Sequence, residues 1–221
     1  MQRDSIFKKK LSEALSKQLP GLIAHLPLAP DERKKDLSNF SYPSSAKQGA
    51  VLILIFEEGN QLKLLFILRS IYNGIHSGQI SFPGGQKDST DKNLLQTALR
   101  ETYEEVGIGL EINNILGSLS PIYIPPSNFL VTPFVAYLDT IPDLNPDNKE
   151  VQKVLKIALD TLLDSKTIQV KEVISGNNNT IFAPCFYVND AKIWGATAMI
   201  LNELLYILKA EERENLAQKK V

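Results

Sequence analysis

Arg100, Glu101, Glu104 and Glu105 lie together in "RETYEE", on what reads as a helix. Glutamates at i, i+3 and i+4 of a helix point the same way. Like charges so placed repel each other by a few tenths of a kcal/mol per pair. They also sit near the negative end of the helix, which disfavours them further. Two readings follow. The stretch is an ordinary solvated acidic helix end, or it is a cage of hard oxygen ligands suited to Mg²⁺ or Mn²⁺. In the second reading Arg100, one residue ahead, could orient a carboxylate of the cage. Upstream, "FPGG" (Phe82 to Gly85) brings two glycines, which let backbone approach a ligand closely. A Gly-Gly turn leading into a carboxylate-bearing helix points to a phosphate and metal site.

Such a helix needs a support. Residues 91–106 carry Leu95, Ala98, Leu99 and Val106, with Thr102 between them, as a stripe for a core. The three glutamates lie beside that stripe. "AVLILIFEEGNQLKLLFILRS" (50–70) reads as a hairpin around Glu58-Gly59-Asn60. "SPIYIPPSNFLVTPFVAYLDT" (120–140) reads as strand, Pro-Pro loop, strand. "VQKVLKIALDTLLD" (151–164) fits a helix by its apolar period, and a strand over 150–158 followed by a short helix competes. Residues 167–173 and 180–187 read as strands, and 194–210 as an apolar helix. Residues 4–19 make an amphipathic helix stopped by Pro20-Gly21, and 22–48 look irregular. The expected organisation is an N-terminal helix and irregular arm over 1–45, a domain over 46–210, and a charged tail over 211–221 that frays. The mixed order of elements predicts an α/β domain with a mixed sheet covered by helices rather than a doubly wound one.

The chain has 221 residues with 24 basic and 25 acidic side chains, a formal net charge of −1. That balance offers no field for a nucleic-acid backbone, so no nucleic-acid partner is expected. The longest apolar run, "AVLILIF", is too short to cross a bilayer, so no membrane partner is expected either. The N-terminus lacks the apolar core of a signal peptide, and Cys185 is the only cysteine, which fits a reducing, cytoplasmic setting. The lysine-rich N-terminal helix could cover the domain or join two chains as a homodimer.

"GGQKDSTDKNLLQTALRETYEEVGI" resembles the Nudix box, G-x5-E-x7-R-E-U-x-E-E-x-G-U, where U is bulky and apolar. Arg100, Glu101, Glu104, Glu105, Gly107 and Ile108 match its second half. Thr102 replaces a bulky residue, Asp91 stands for the first acid, and the gap from Asp91 to Arg100 is one residue longer. The coenzyme A pyrophosphatase group is similar in both latter departures. It also carries an upstream motif that Arg69, Ser70, Gly78, Phe82, Pro83, Gly84 and Gly85 fit, with Gly74 in the place of an arginine. "IPPSNFLVTPFV" and "IWGATAMIL" look like the same group.

The resemblance implies a Nudix-type α/β/α sandwich and water attack on the pyrophosphate of a coenzyme A-like nucleotide. The implied products are 4′-phosphopantetheine and adenosine 3′,5′-bisphosphate. The implied metal ligands for Mg²⁺ or Mn²⁺ are Glu101, Glu104 and Glu105, with the Gly84 carbonyl as a further candidate. The box does not fix the general base, which could be a box glutamate or Glu150. Arg69 could contact a phosphate, or could be an exposed strand end. His76 could be a base or a loop histidine making a hydrogen bond. Gln79 and Ser81 alternate with Ile80 and Phe82 and so could face substrate, beside Gly84 and Gly85. Trp194 reads as core rather than an adenine platform. Gly74 removes a cationic contact, for which Arg69 or Lys87 could stand in. Pyrophosphatases for ADP-ribose or NADH, and a binding module without catalysis, are the alternatives.

Overall fold

The computed structural model describes residues 2–37, 42–71, 74, 76–175 and 179–218. Leu11, Ala14 and Leu15 form the buried stripe of the first helix, α1 (Gln2–Leu15). Ser16 and Lys17 close it by bonding back to Ser12, Glu13 and Ala14. The helix therefore ends before the residue 19 expected from apolar spacing, and it covers the domain. Over residues 22–37 the arm is not irregular. Gly21, at φ 50°, turns the chain into α2 (Leu22–His25), and a 3-10 turn follows at Leu26–Leu28. The Pro30 carbonyl then accepts from the Arg33 and Lys34 amides and opens α3 (Asp31–Leu37).

β1 (Lys47–Glu58) and β2 (Gln61–Arg69) form the expected hairpin. Gly59 and Asn60 both take positive φ, 63° and 59°, the geometry of a tight turn whose twist suits the strands. There follow β3 (Ile80–Ser81), β4 (Gly84–Gln86), α4 (Leu94–Val106), β5 (Ile115–Ser118), β6 (Ile122–Ile124) and β7 (Phe129–Leu138). β8 (Val151–Ala158) leads directly into α5 (Leu159–Leu163). The competing strand-then-helix reading of 151–164 is the observed one. β2 leaves an edge open, and β8 fills it from Lys63↔Ala158 to Arg69↔Val151, so pairing overrides a period that also fitted a helix. The chain closes with β9 (Ile168–Ile174), β10 (Thr180–Val188), β11 (Ala191–Trp194) and α6 (Gly195–Gln218). α6 continues beyond the end expected near residue 210, into the tail expected to fray.

Among the described residues eight strands share one sheet. Its path runs β3-β2-β1-β7-β5, with β4 also on β1, β6 on β7 and β8 on β2. β1 and β7 run parallel from Lys47↔Phe129 to Phe56↔Leu138, while the other pairs are antiparallel, so the sheet is mixed. β1 explains the unbroken apolar run. Ile53 and Ile55 face one core with α1 and α6, and Leu52, Leu54 and Phe56 face another with Ala98 and Val106 of α4. A strand buried on both faces has no polar side to show. Helices thus cover both faces, giving the α/β/α sandwich. A three-stranded sheet, β11-β10-β9, adds Phe186, Val188 and Ile193 to the α6 side.

One buried carboxylate joins three segments on that side. Glu203 of α6, fully buried, accepts from the Gly21 amide at 2.9 Å, the Ser120 hydroxyl at 2.6 Å and the Ser120 amide at 3.1 Å. His25 Nε2 lies 3.0 Å from its other contact point, Oε2, and must carry the proton there because a carboxylate only accepts. Burial pushes the Glu203 carboxyl up, but His25, Ser120 and Gly21 together bring it below its ordinary value. A depressed folded-state value adds stability above the ordinary carboxylate value of 4.5 and loses it as pH falls through the folded-state value. Glu203→Gln is expected to cost about 3 kcal/mol near neutral pH, by leaving buried donors mispaired. It should also flatten the loss of stability on the acid side of pH 4.5. Denaturant unfolding from pH 3 to pH 7 checks both, and an unchanged acid slope would remove Glu203 as its source.

Candidate active site

α4 is fixed at both ends by its own sequence. The Asn93 side chain accepts from the Gln96 amide at 2.9 Å and caps the start. Gly107, left-handed at φ 77°, ends it, and a side chain there would meet Asn145 at 2.8 Å. Glu101 and Glu105 thereby face β4, while Glu104 turns toward solvent.

The two glycines make that approach possible. Gly84 sits at φ 149°, and a Cβ there would lie 2.3 Å from the Ala50 carbonyl oxygen. Its amide donates to Glu105 Oε2 at 2.8 Å. A Cβ on Gly85 would lie 2.5 Å from the Glu101 carboxylate. The glycines let strand backbone and two carboxylates share one volume.

Two arginines hold the acidic groups. Arg69, at the end of β2, reaches Glu105 Oε1 at 3.2 Å. Arg100 donates through Nη1 to Glu101 at 2.9 Å and to Glu104 at 2.8 Å. Through Nε and Nη2 it forms a two-bond fork to Asp91 at 3.0 and 2.9 Å. The Arg100 guanidinium holds the Asp91 carboxyl well below the usual carboxylate range, and Asp91 in turn raises Arg100. Asp91 is a residue that sequence reasoning left off the site. Its signal was present in the first acid of the box. Asp is one methylene shorter than Glu, and the longer gap to Arg100 accompanies a fork that is still made.

Burial pushes the Glu105 carboxyl up to about 7, with the Gly84 amide and Arg69 opposing and Glu101 and Glu150 adding repulsion. Burial likewise raises Glu101, against Arg100, with Glu104 and Glu150 adding to the rise. Glu150 is exposed just before β8, and its charge is felt by both. Among the described residues no three metal-ligating side chains already converge on one point. The arginines occupy carboxylate oxygens instead. The donor set nevertheless fits a hard divalent cation, since mutually repelling carboxylates lie against a Gly-Gly strand that leaves room beside them. The acidic cluster itself, and not a soft or aromatic surround, is what a cation would find.

Gly84 and Gly85, against which the glutamates pack, line a cavity of about 700 Å³. Arg69, His76, Gln79, Ser81, Gly84 and Gly85 all line it, so the residues expected to meet substrate come together. His76, at φ 73°, lies 3.0 Å through Nδ1 from Gln79 Oε1. Burial lowers its pKa, Gln79 opposes, and the charge of Arg69 adds to the fall. His76 is thus a hydrogen-bonded loop histidine. Ser81 presents a buried hydroxyl with no hydrogen-bond partner among the described residues. Trp194, expected in the core, is half-buried and lines the cavity. Lys87 and Gly74 are exposed and do not. The far walls come from Arg33 of the arm and from the start of α6, where Thr197 donates to the Ile80 carbonyl at 3.1 Å. No local signal in the sequence tied the arm to this cavity.

Residues 46–174 match the NUDIX domain family model. The chain belongs to the Nudix family. It is a Nudix hydrolase, and enzymes of this family generally use divalent metal ions. It is 33% identical over 169 residues to the mitochondrial coenzyme A diphosphatase NUDT8 of Homo sapiens, covering 75% of this chain and 70% of that protein. It is 32% identical over 158 residues to the peroxisomal coenzyme A diphosphatase NUDT7 of Mus musculus, covering 72% and 66%. A Nudix hydrolase, NudL, of Photorhabdus laumondii is 34% identical over 142 residues, covering 64% and 74%. The first two names place those relatives in organelles, so they lend no support to a cytoplasmic setting here. No described helix is long and apolar enough to cross a membrane.

The two glycines of this hydrolase should fail differently when changed to alanine. Gly84→Ala forces a side chain into the β1 backbone at a φ that L residues avoid, and should unfold the β4 edge. Gly85→Ala meets only the movable Glu101 carboxylate. It should keep the melting temperature within about 5 °C, a shift of roughly 1–2 kcal/mol at this size, while lowering turnover by at least about tenfold. Thermal melts with parallel turnover assays distinguish the two, and equal melting losses would contradict the assignment.

Proposed function

We propose that this Nudix hydrolase cleaves the diphosphate of coenzyme A or acyl-coenzyme A. Water adds to one phosphorus, the bond from that phosphorus to the bridging oxygen breaks, and 4′-phosphopantetheine and adenosine 3′,5′-bisphosphate leave. One observation carries the reading: carboxylates held by two arginines lie against Gly84 and Gly85, and these glycines and Arg69 line a cavity of about 700 Å³. The names of the first two relatives support the same substrate.

Glu101, Glu104 and Glu105 are the proposed ligands of Mg²⁺ or Mn²⁺. Such an ion, when bound, supplies charge neutralisation for phosphate oxygens and acidifies the attacking water. Arg100 orients Glu101 and Glu104, and Asp91 keeps Arg100 in plane. Arg69 fixes Glu105 and offers positive charge at the cavity wall. Glu150 is the proposed general base from outside the box, being an exposed carboxylate whose field reaches the cluster. Gln79 and Ser81 offer hydrogen bonds, and His76 shapes the loop that carries Gln79.

Steady-state kinetics with Mg²⁺ on coenzyme A, ADP-ribose and NADH test the reading. Coenzyme A should lead in kcat/KM. A lead of about tenfold by either other substrate would replace it with a broader dinucleotide activity. Glu104→Gln and Glu105→Gln should each lower kcat by two orders of magnitude or more, of the size seen when a transition-state electrostatic group is lost, with the fold kept. Near-normal rates for Glu105→Gln at saturating Mg²⁺ would end its role. Arg100→Lys should stay folded yet lose most activity, because an ammonium cannot hold Asp91 and two glutamates in one planar fork.

A further inference from the structure

The proposed substrate carries three phosphates. Two form the cleaved diphosphate and belong beside Gly84, Gly85 and the carboxylates. The third, on the ribose, lies away from the reaction and still needs a cation. Among the described residues lining the cavity the cationic side chains are two arginines, Arg69 and Arg33, with no lysine. Arg69 is engaged with Glu105 at the reacting end. Lys87, which the sequence offered beside Arg69 as a stand-in for the arginine missing at Gly74, is exposed and off the cavity. Arg33 stands on α3, outside the matched domain of residues 46–174.

We propose that Arg33 binds the ribose 3′-phosphate of the substrate, so that the N-terminal arm sets nucleotide specificity. The inference rests on the coenzyme A reading above. A planar guanidinium matches a phosphate with two parallel bonds. Arg33 Nη2 donates to the Tyr123 carbonyl, which ties the side chain to the wall formed by Ile124 to Ser127. Its base is fixed. Leu28 and Ala29 are fully buried, and Asn202 of α6 donates to the Ala24 carbonyl at 2.6 Å. Glu32 lines the same rim, but it is exposed and screened by solvent, whereas Arg33 is half-buried.

The test compares the wild type with Arg33→Gln and Arg33→Lys. The substrates are coenzyme A and dephospho-coenzyme A with Mg²⁺. Calorimetry then measures binding of adenosine 3′,5′-bisphosphate against adenosine 5′-monophosphate. Arg33→Gln should raise KM for coenzyme A roughly tenfold, the effect of losing one charge-assisted contact, with kcat unchanged. Kinetics on dephospho-coenzyme A should not move, and Arg33→Lys should fall between. The wild type should prefer the bisphosphate to the monophosphate, and Arg33→Gln should erase that preference. An equal KM rise for both substrates, or an undiminished bisphosphate preference in the variant, overturns the proposal. If Arg33→Gln fails to fold, Arg33→Lys judges it alone by the same selective KM rise. Should the wild type favour ADP-ribose or NADH, the coenzyme A reading falls, while the bisphosphate measurement still decides for or against Arg33.

Discussion

Everything at the reacting end depends on holding like charges together. Three glutamates on one face of α4, with Glu150 nearby, repel each other, and Glu105 is almost wholly buried as well. The protein meets this with two arginines and one backbone amide rather than by moving the charges apart. Arg100 spans Asp91, Glu101 and Glu104, so a single guanidinium fixes the geometry of three carboxylates. The glycines follow from the same constraint. A side chain at Gly85 would displace Glu101, and one at Gly84 would displace the strand that donates to Glu105. Acidic charge that is crowded and desolvated, yet fixed, favours a cation over water at the same place. The cluster is therefore preorganised for positive charge while giving up local stability.

This end of the molecule was legible because its logic is local. Glu101, Glu104 and Glu105 share a face by helical spacing alone, and Gly84-Gly85 announces close backbone approach. Arg100 follows from adjacency. The hairpin at Gly59-Asn60 and the two-sided burial of β1 were equally open to reading, since turn chemistry and apolar runs are properties of neighbours in sequence. Asp91 was half-legible: the acid was visible in the motif, but its fork to Arg100 depends on how the loop before α4 closes.

The rest was decided by distant partners. Residues 151–158 have an apolar period that fits a helix, and they became a strand only because β2 offered a free edge. The arm at 22–37 looked irregular for want of a long period, yet it packs Leu28 and Ala29 fully into the core. Trp194 gave the composition of a core residue, and the fold turned it to the cavity. The substrate cavity is the extreme case. Its walls come from α3, from the loop after β6, from β10 and from the start of α6, segments with no shared motif. Only the wall running from Arg69 through His76, Gln79 and Ser81 to Gly84 and Gly85 could be foreseen.

Glu203 links those walls at a distance from the chemistry. Its carboxylate binds Gly21 and His25, whose segment leads to Pro30 and Arg33, and it binds Ser120, in the link between β5 and β6 that leads on to Ile124 and Ser127. Glu203 itself lies one helical turn beyond Ile200, which lines the cavity from α6. Three of these walls thus meet at one buried charge. Each bond to it carries the strength of an ionised acceptor, and none can be replaced by water in so closed a place. The metal-side cluster is built by spacing along one helix and tolerates change elsewhere in the fold. The far side of the cavity is built by convergence on Glu203, so its shape is a property of the whole α1 and α6 face. A substitution that loosened Glu203 would leave the carboxylates, Arg100 and the glycines untouched. It would shift the arm and the loop after β6 together, and on the proposed reading it would alter which nucleotide fits before altering how fast it is cleaved.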